Sequence, residues 1–178
     1  VSMGGMIAQR LAIEHPERVR SLCSIMSSPR PPRPSLRFIM KLLKLGSDPE
    51  HREERIENTL ALFRLLGGGG FTFDEETMGQ LAATVVDRAW HPAGTDRQSA
   101  AIEVDGNRRA ALAALEVPTT VVHGTDDPLV PPKLGKEIAD AVPGAEMVWI
   151  DGMGHEWPEE AWPAILEAIF DLVERAGD

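Results

Sequence analysis

Cysteine is almost missing from this sequence. Cys23 stands alone, so no disulfide can form within the chain, which fits a reducing compartment or a protein that does not rely on disulfides. It lies in an apolar run, residues 19–26, with no histidine or second cysteine at dyad spacing, and is assigned to the core. Long hydrophobic runs are also lacking: no window approaches the ~20 uninterrupted apolar residues of a membrane span. No basic segment followed by an apolar one marks the first residues as a leader. Positive charge is in deficit, with 18 Lys and Arg against 28 Asp and Glu and a net charge of −10, so a phosphate backbone would be repelled and nucleic acid is excluded as a partner. The local exception is Pro29-Arg30-Pro31-Pro32-Arg33-Pro34-Ser35-Leu36-Arg37, read as a solvated linker rather than an anion site. There is no His-Glu-x-x-His and no histidine pair at metal-ligand spacing, so no metal is expected. The glycine run 67–70 lacks the lysine and Ser/Thr of a phosphate-binding loop.

What is present is an ordinary globular composition, 43% hydrophobic and 26% charged, over 178 residues, enough for one domain with an inserted subdomain. Apolar residues Met6, Ile7, Leu11 and Ala12 predict a helix over 4–14, stopped at His15-Pro16. A short buried strand is expected over 19–26. From about 36 to 104 no strand pattern occurs. Helices are expected from 36 and over 53–66, with a flexible glycine break at 67–70 read as a hinge. A third helix, capped by Asp74 or Thr72, runs to about 88, and a turn at 90–94 precedes a fourth. The last third alternates: strand 117–123, helix 132–141, strand 146–150, and an amphipathic helix 158–176 with Ile165, Ile169 and Leu172 on one face. This alternation implies an α/β fold with a parallel sheet. The helical block reads as a lid over 29–104, leaving 1–28 and 105–178 as the core.

Three loops carry residues suited to nucleophilic acyl transfer. Val1-Ser2-Met3-Gly4-Gly5 places a serine just before a helix, where a sharp turn would push its hydroxyl clear, the glycines would relieve crowding, and the helix N-terminus would favour developing negative charge. His123-Gly124-Thr125-Asp126-Asp127-Pro128 follows a strand with a carboxylate able to orient a histidine. Asp151-Gly152-Met153-Gly154-His155-Glu156 follows the next strand with an open, glycine-flanked histidine. The remaining histidines, His15, His51, His91 and His123, are read as structural or surface groups, and the tryptophans as core, with Trp157 close enough to His155 to line a pocket.

The order Ser, Asp, His resembles that of the α/β-hydrolases. Ser2-Met3-Gly4-Gly5 is similar to the latter part of the Gly-x-Ser-x-Gly nucleophile elbow, the second loop to the family's His-Gly-x-x-Asp turn, and Gly152-Met153-Gly154-His155 to its histidine loop. His91-Pro92-Ala93-Gly94-Thr95-Asp96-Arg97-Gln98 resembles the end of the lid in a bacterial esterase branch that includes aclacinomycin methylesterase-like proteins. The resemblance implies an α/β-hydrolase fold and a serine hydrolase acting on small hydrophobic carboxylic esters, cytoplasmic and without a cofactor. It implies a triad of Ser2, Asp127 and His155, with Asp126 as a neighbour, and the Met3 N–H as one oxyanion donor. The same triad also serves C–C bond hydrolysis and perhydrolysis. The first elbow glycine, the strand before it and the loop bearing the second oxyanion donor have no counterpart in the sequence. Upstream sequence is therefore expected, and a rival reading is a truncated, non-catalytic chain. An uncovered sheet edge would favour poor folding or self-association.

Overall fold

The computed structural model describes residues 1–45 and 49–177. Positions 46–48 of the expected helical block lie outside the described residues. Three strands form one parallel sheet: β1 (Leu22–Ile25), β2 (Thr119–Gly124) and β3 (Glu146–Ile150), in the order β1-β2-β3. Leu22 aligns with Thr119, and Thr120 with Glu146. β2 is central and buried throughout, as its β-branched Thr119, Thr120, Val121 and Val122 suit.

Strand alternation divides the core into two layers. Val121 faces one side with Leu22, Ala12, Leu112, Ile138 and Val142. These come from β1, α1 (Met3–Glu14), the short α6 (Arg109–Leu112), α7 (Pro132–Ala141) and the residue that ends it. Val122 faces the other side with Ile25, Ile150, Met153, Ile165 and Ala168, the last two from α8 (Trp162–Arg175). The sheet thus has helices on both faces, the arrangement of a parallel α/β fold.

Between β1 and β2 the chain forms α2 (Leu36–Leu43), α3 (Arg52–Leu66), α4 (Glu75–Arg88) and α5 (Pro92–Asp105), with no strand among the described residues. Asp74, not Thr72, caps α4, accepting from the Glu76 and Thr77 N–H groups.

Several sequence expectations shift. β1 is shorter than 19–26 because Pro16–Arg18 makes a 3₁₀ turn that closes on Val19. The turn expected at 90–94 is partly helix, since Pro92 opens α5, where a missing N–H costs nothing. The last helix starts at Trp162, after a 3₁₀ turn over Glu159–Ala161. Trp149, Trp157 and Trp162 are each 42–43% exposed, so they are not core residues. β3 is a sheet edge among the described residues, which leaves Trp149 half open. Cys23 is half-buried against the core, and burial pushes its thiol pKa up. The arginines of the proline-rich segment are not simply solvated: Arg30 is paired with Glu137 of α7, and Arg33 with Glu103 of α5.

Candidate functional site

Ser2 sits between β1 and α1 with φ 51° and ψ −123°, a left-handed conformation unusual for a residue with a Cβ and costing about 1–3 kcal/mol. Its neighbours hold it there. The Ser2 N–H donates to Ile25 O at 2.9 Å, and Ser27 Oγ donates to Ser2 O at 2.7 Å. The turn is tight because α1 passes close to the serines that follow β1. A Cβ added at Gly5 would lie 2.6 Å from both Cβ and Oγ of Ser27. At Gly4 it would meet nothing within 4 Å, so only the second glycine of the pair relieves crowding. Gly5→Ala should therefore lower stability by about 1–3 kcal/mol, whereas Gly4→Ala should leave it unchanged or slightly raised. Thermal melts of the two variants check this contrast.

Asp127 is buried at the end of the turn after β2. Its Oδ1 accepts from the Leu129 and Val130 N–H groups at 2.9 and 2.7 Å, while Oδ2 faces His155 Nδ1 at 2.7 Å. His155 Nε2 lies 2.9 Å from Ser2 Oγ. A carboxylate beside Nδ1 calls for the proton there, which leaves Nε2 free to accept from the Ser2 hydroxyl. The structure thus brings Ser2, His155 and Asp127 into one hydrogen-bonded line. Asp126 is exposed and contacts the histidine loop only through its backbone N–H, which donates to Met153 O at 3.0 Å. Met3 is the first residue of α1, so its N–H has no acceptor within the helix. It also lines a cavity of about 580 Å³ between α1 and α5, with Met6, Ile7, Ala101 and Ile102 among the walls.

Burial alone would raise the Asp127 pKa. Hydrogen bonds from His123 and His155, the charge on His155 and the Val130 N–H outweigh it and hold the carboxyl below the ordinary aspartate value. The folded protein therefore binds this proton more weakly than the unfolded chain. The stabilisation is complete above the ordinary aspartate range, about pH 4, and disappears as pH falls through the lower folded value. Stability measured by denaturant titration should decline as pH falls below about 4, and Asp127→Asn should remove that part of the slope.

Two buried polar groups packed around these turns are not singled out by the sequence. His123, read as a strand end, is fully buried, with Nε2 2.9 Å from Val130 O and 3.4 Å from Asp127 Oδ2. A carbonyl only accepts, so Nε2 carries the proton, and Nδ1 is left buried without a hydrogen-bond partner. Gly135 leaves room for it, since a Cβ there would be 2.2 Å from Nδ1. The spacing of four residues from Asp127 was the available signal. Arg108 is the second. Buried between α5 and α6, it donates to Ser28 O at 2.7 Å and to Gln9 Oε1 at 3.3 Å, and pairs with Asp105.

The fold agrees with what comparison with known proteins finds. The α/β hydrolase fold family profile matches residues 1–161. This chain belongs to that family. It is similar to the rhodomycin D methylesterase of Streptomyces sp. (strain C5), 27% identical over 95% of this chain and 63% of that protein. A pimeloyl-[acyl-carrier protein] methyl ester esterase of Hamiltonella defensa is 29% identical over 86% of this chain and 60% of that protein. Among solved structures, a meta-cleavage product hydrolase from Pseudomonas fluorescens IP01 superposes with a TM-score of 0.75 at 17% identity, over 98% of this chain and 63% of that one. At that identity the likeness bears on the fold alone. The chain spans a little under two thirds of the length of these relatives. No helix among the described residues is long and apolar enough to cross a membrane.

Proposed function

We propose that this chain carries the nucleophile, histidine and acid of a serine hydrolase that cleaves carboxylic esters. The observation that carries the reading is the pair of contacts at His155, 2.9 Å from Ser2 Oγ and 2.7 Å from Asp127 Oδ2. In the reaction, His155 Nε2 takes the hydroxyl proton as Ser2 Oγ attacks the ester carbonyl carbon. The Met3 N–H donates to the oxyanion that forms, and Asp127 stabilises the imidazolium. Collapse expels the alcohol, which takes the proton from His155. A water then gives its proton to His155 and attacks the acyl carbonyl, and as the acid leaves, Ser2 Oγ takes that proton back from His155, restoring the hydroxyl and the neutral imidazole.

The helices within residues 29–104 act as a lid in this reading. The cavity between α1 and α5, which Met3 lines beside Ser2, has both an apolar part (Met6, Ile7, Ala101, Ile102) and a polar one (Arg10, Arg97, Gln98, Asp105), the apolar part suiting the hydrophobic portion of a small or medium ester. Two similar proteins, by their names, act on methyl esters, which makes methyl and other short-alcohol esters the substrates of choice for assay. The chain would be incubated with a series of methyl and p-nitrophenyl esters, and the acid-quenched protein weighed for an acyl adduct. Release of alcohol with a transient acyl group on Ser2 supports the reading. Alcohol release that persists in Ser2→Ala refutes it.

A further inference from the structure

The glycine run 67–70, expected to be a hinge, is instead pressed backbone to backbone against the loop that bears His155. A Cβ at Gly68 would lie 2.3 Å from Gly152 O, and one at Gly70 2.4 Å from Gly152 Cα. From the other side, a Cβ at Gly154 would lie 2.2 Å from Gly68 N and 2.3 Å from Leu66 O. These are contacts with backbone, which cannot swing aside as a side chain can, so both segments need glycine to approach this closely. Hydrogen bonds cross the junction. The His155 N–H donates to Leu66 O at 2.8 Å, filling one of the carbonyls left open at the end of α3, and the Gly70 N–H donates to Gly152 O at 3.1 Å. One side-chain oxygen joins the two segments: Glu156 Oε1 accepts from the Gly68 N–H at 2.9 Å and from the Gly154 N–H at 3.3 Å.

We propose that Glu156 is a positioning residue that clamps the glycine segment after α3 onto the histidine loop, so that the His155 ring reaches Ser2 and Asp127 only while this strap is docked. The proposal rests on the hydrolase reading above. Its physical basis is that the His155 backbone is tied to α3, a helix of the block between β1 and β2, while its ring must meet groups carried by the turns after β1 and β2. A displacement of α3 relative to the sheet is therefore transmitted to the ring. Misplacing a reacting group by about 1 Å is enough to cost on the order of 10²-fold in rate.

The test uses the whole chain and four variants: Glu156→Ala, which removes the clamp; Glu156→Gln, which keeps the Oε1 acceptor; Gly68→Ala, which wedges the strap open; and Gly79→Ala as control, where an added Cβ meets nothing within 4 Å. The primary readout is the NMR signal of the His155 Nδ1 proton shared with Asp127, together with hydrogen exchange at the Gly68, Gly154 and His155 amides. The secondary readout is turnover of p-nitrophenyl acetate. Glu156→Ala and Gly68→Ala should lose the shared-proton signal, exchange those amides faster, and lose about 10- to 100-fold in kcat with KM little changed. Glu156→Gln and Gly79→Ala should match the unsubstituted chain. Should Glu156→Ala fail to fold, Glu156→Asp, whose carboxylate is drawn back by one methylene, carries the same expectation. An unchanged proton signal in Glu156→Ala overturns the proposal, as does a Glu156→Gln variant as impaired as Glu156→Ala. An unsubstituted chain that shows the shared proton but hydrolyses nothing overturns the hydrolase reading instead, and the NMR comparison still decides the role of the clamp.

Discussion

Asp127→Asn should slow acylation of Ser2 by about 10⁴-fold while leaving the fold in place. The carboxylate does two things that an amide does not. In the proposed reaction it would fix the His155 proton on Nδ1, so that Nε2 points its lone pair at Ser2 Oγ, and would stabilise the imidazolium once that nitrogen had taken the serine proton. An asparagine can present its NH₂ to Nδ1 and so hold the wrong tautomer. The Leu129 and Val130 N–H groups can still be met by the amide oxygen, and only the longer His123 Nε2–H contact at 3.4 Å loses its acceptor, which is why the loss should appear chiefly in rate and not in gross structure. Ser2→Ala and His155→Ala should each cost as much or more, and combining them should add little if the three groups act as one unit, as proposed. Burst-phase kinetics on an activated ester would measure this. Additive losses would contradict it.

The largest effect on stability is expected at Arg108. Arg108→Met should lower the unfolding free energy by about 3–5 kcal/mol, equivalent to a drop on the order of 10 °C in melting temperature for a chain of this size. Burial pulls the Arg108 guanidinium down to about 10, and the neighbouring Arg10 pushes the same way, so the group still carries its charge at neutral pH. It serves acceptors from three parts of the chain: Gln9 on α1, the Ser28 carbonyl beyond β1, and Asp105 at the end of α5. Methionine fills the space but supplies no donor, leaving the Ser28 carbonyl and the Gln9 amide oxygen unsatisfied in a dry site. Lysine should not rescue it, since a single ammonium cannot reproduce the planar fork. Ser28 adjoins Ser27, whose hydroxyl holds the Ser2 carbonyl, so the substitution should also loosen the turn that carries Ser2. Calorimetry of Arg108→Met and Arg108→Lys measures the first effect, and a loss under 1 kcal/mol would contradict it.

Much of this site was legible because each of its residues is announced by its immediate neighbours. Ser2 precedes a helix and a crowded glycine, Asp127 ends a loop after a β-branched strand, and His155 sits in a glycine-flanked loop after another. These are local patterns, and chain order then pairs them. What local pattern does not encode is the partner across space. Four consecutive glycines look the same whether they flex in solvent or lie flat against another backbone, and only the approach of Gly152 and Gly154 distinguishes the two. Similarly, the roles of Arg108 and His123 depend on acceptors supplied by the fold, Gln9 and the Ser28 carbonyl for one and the Val130 carbonyl and Asp127 for the other. The tryptophans misled for a related reason: hydrophobicity favours burial, yet at an edge strand and at the start of α8 no layer covers them fully. The third strand falls where its residues predict it, 146–150, whereas the first is shorter than its apolar run because Val19 closes the preceding 3₁₀ turn.

Whether Ser2 is a nucleophile activated by His155 and Asp127 is decided by treating the chain with a fluorophosphonate and weighing the intact protein, with the modified residue mapped by peptide sequencing. A single adduct is expected on Ser2, absent from Ser2→Ala and formed far more slowly in His155→Ala. No adduct on Ser2, or one that survives Ser2→Ala, would contradict it.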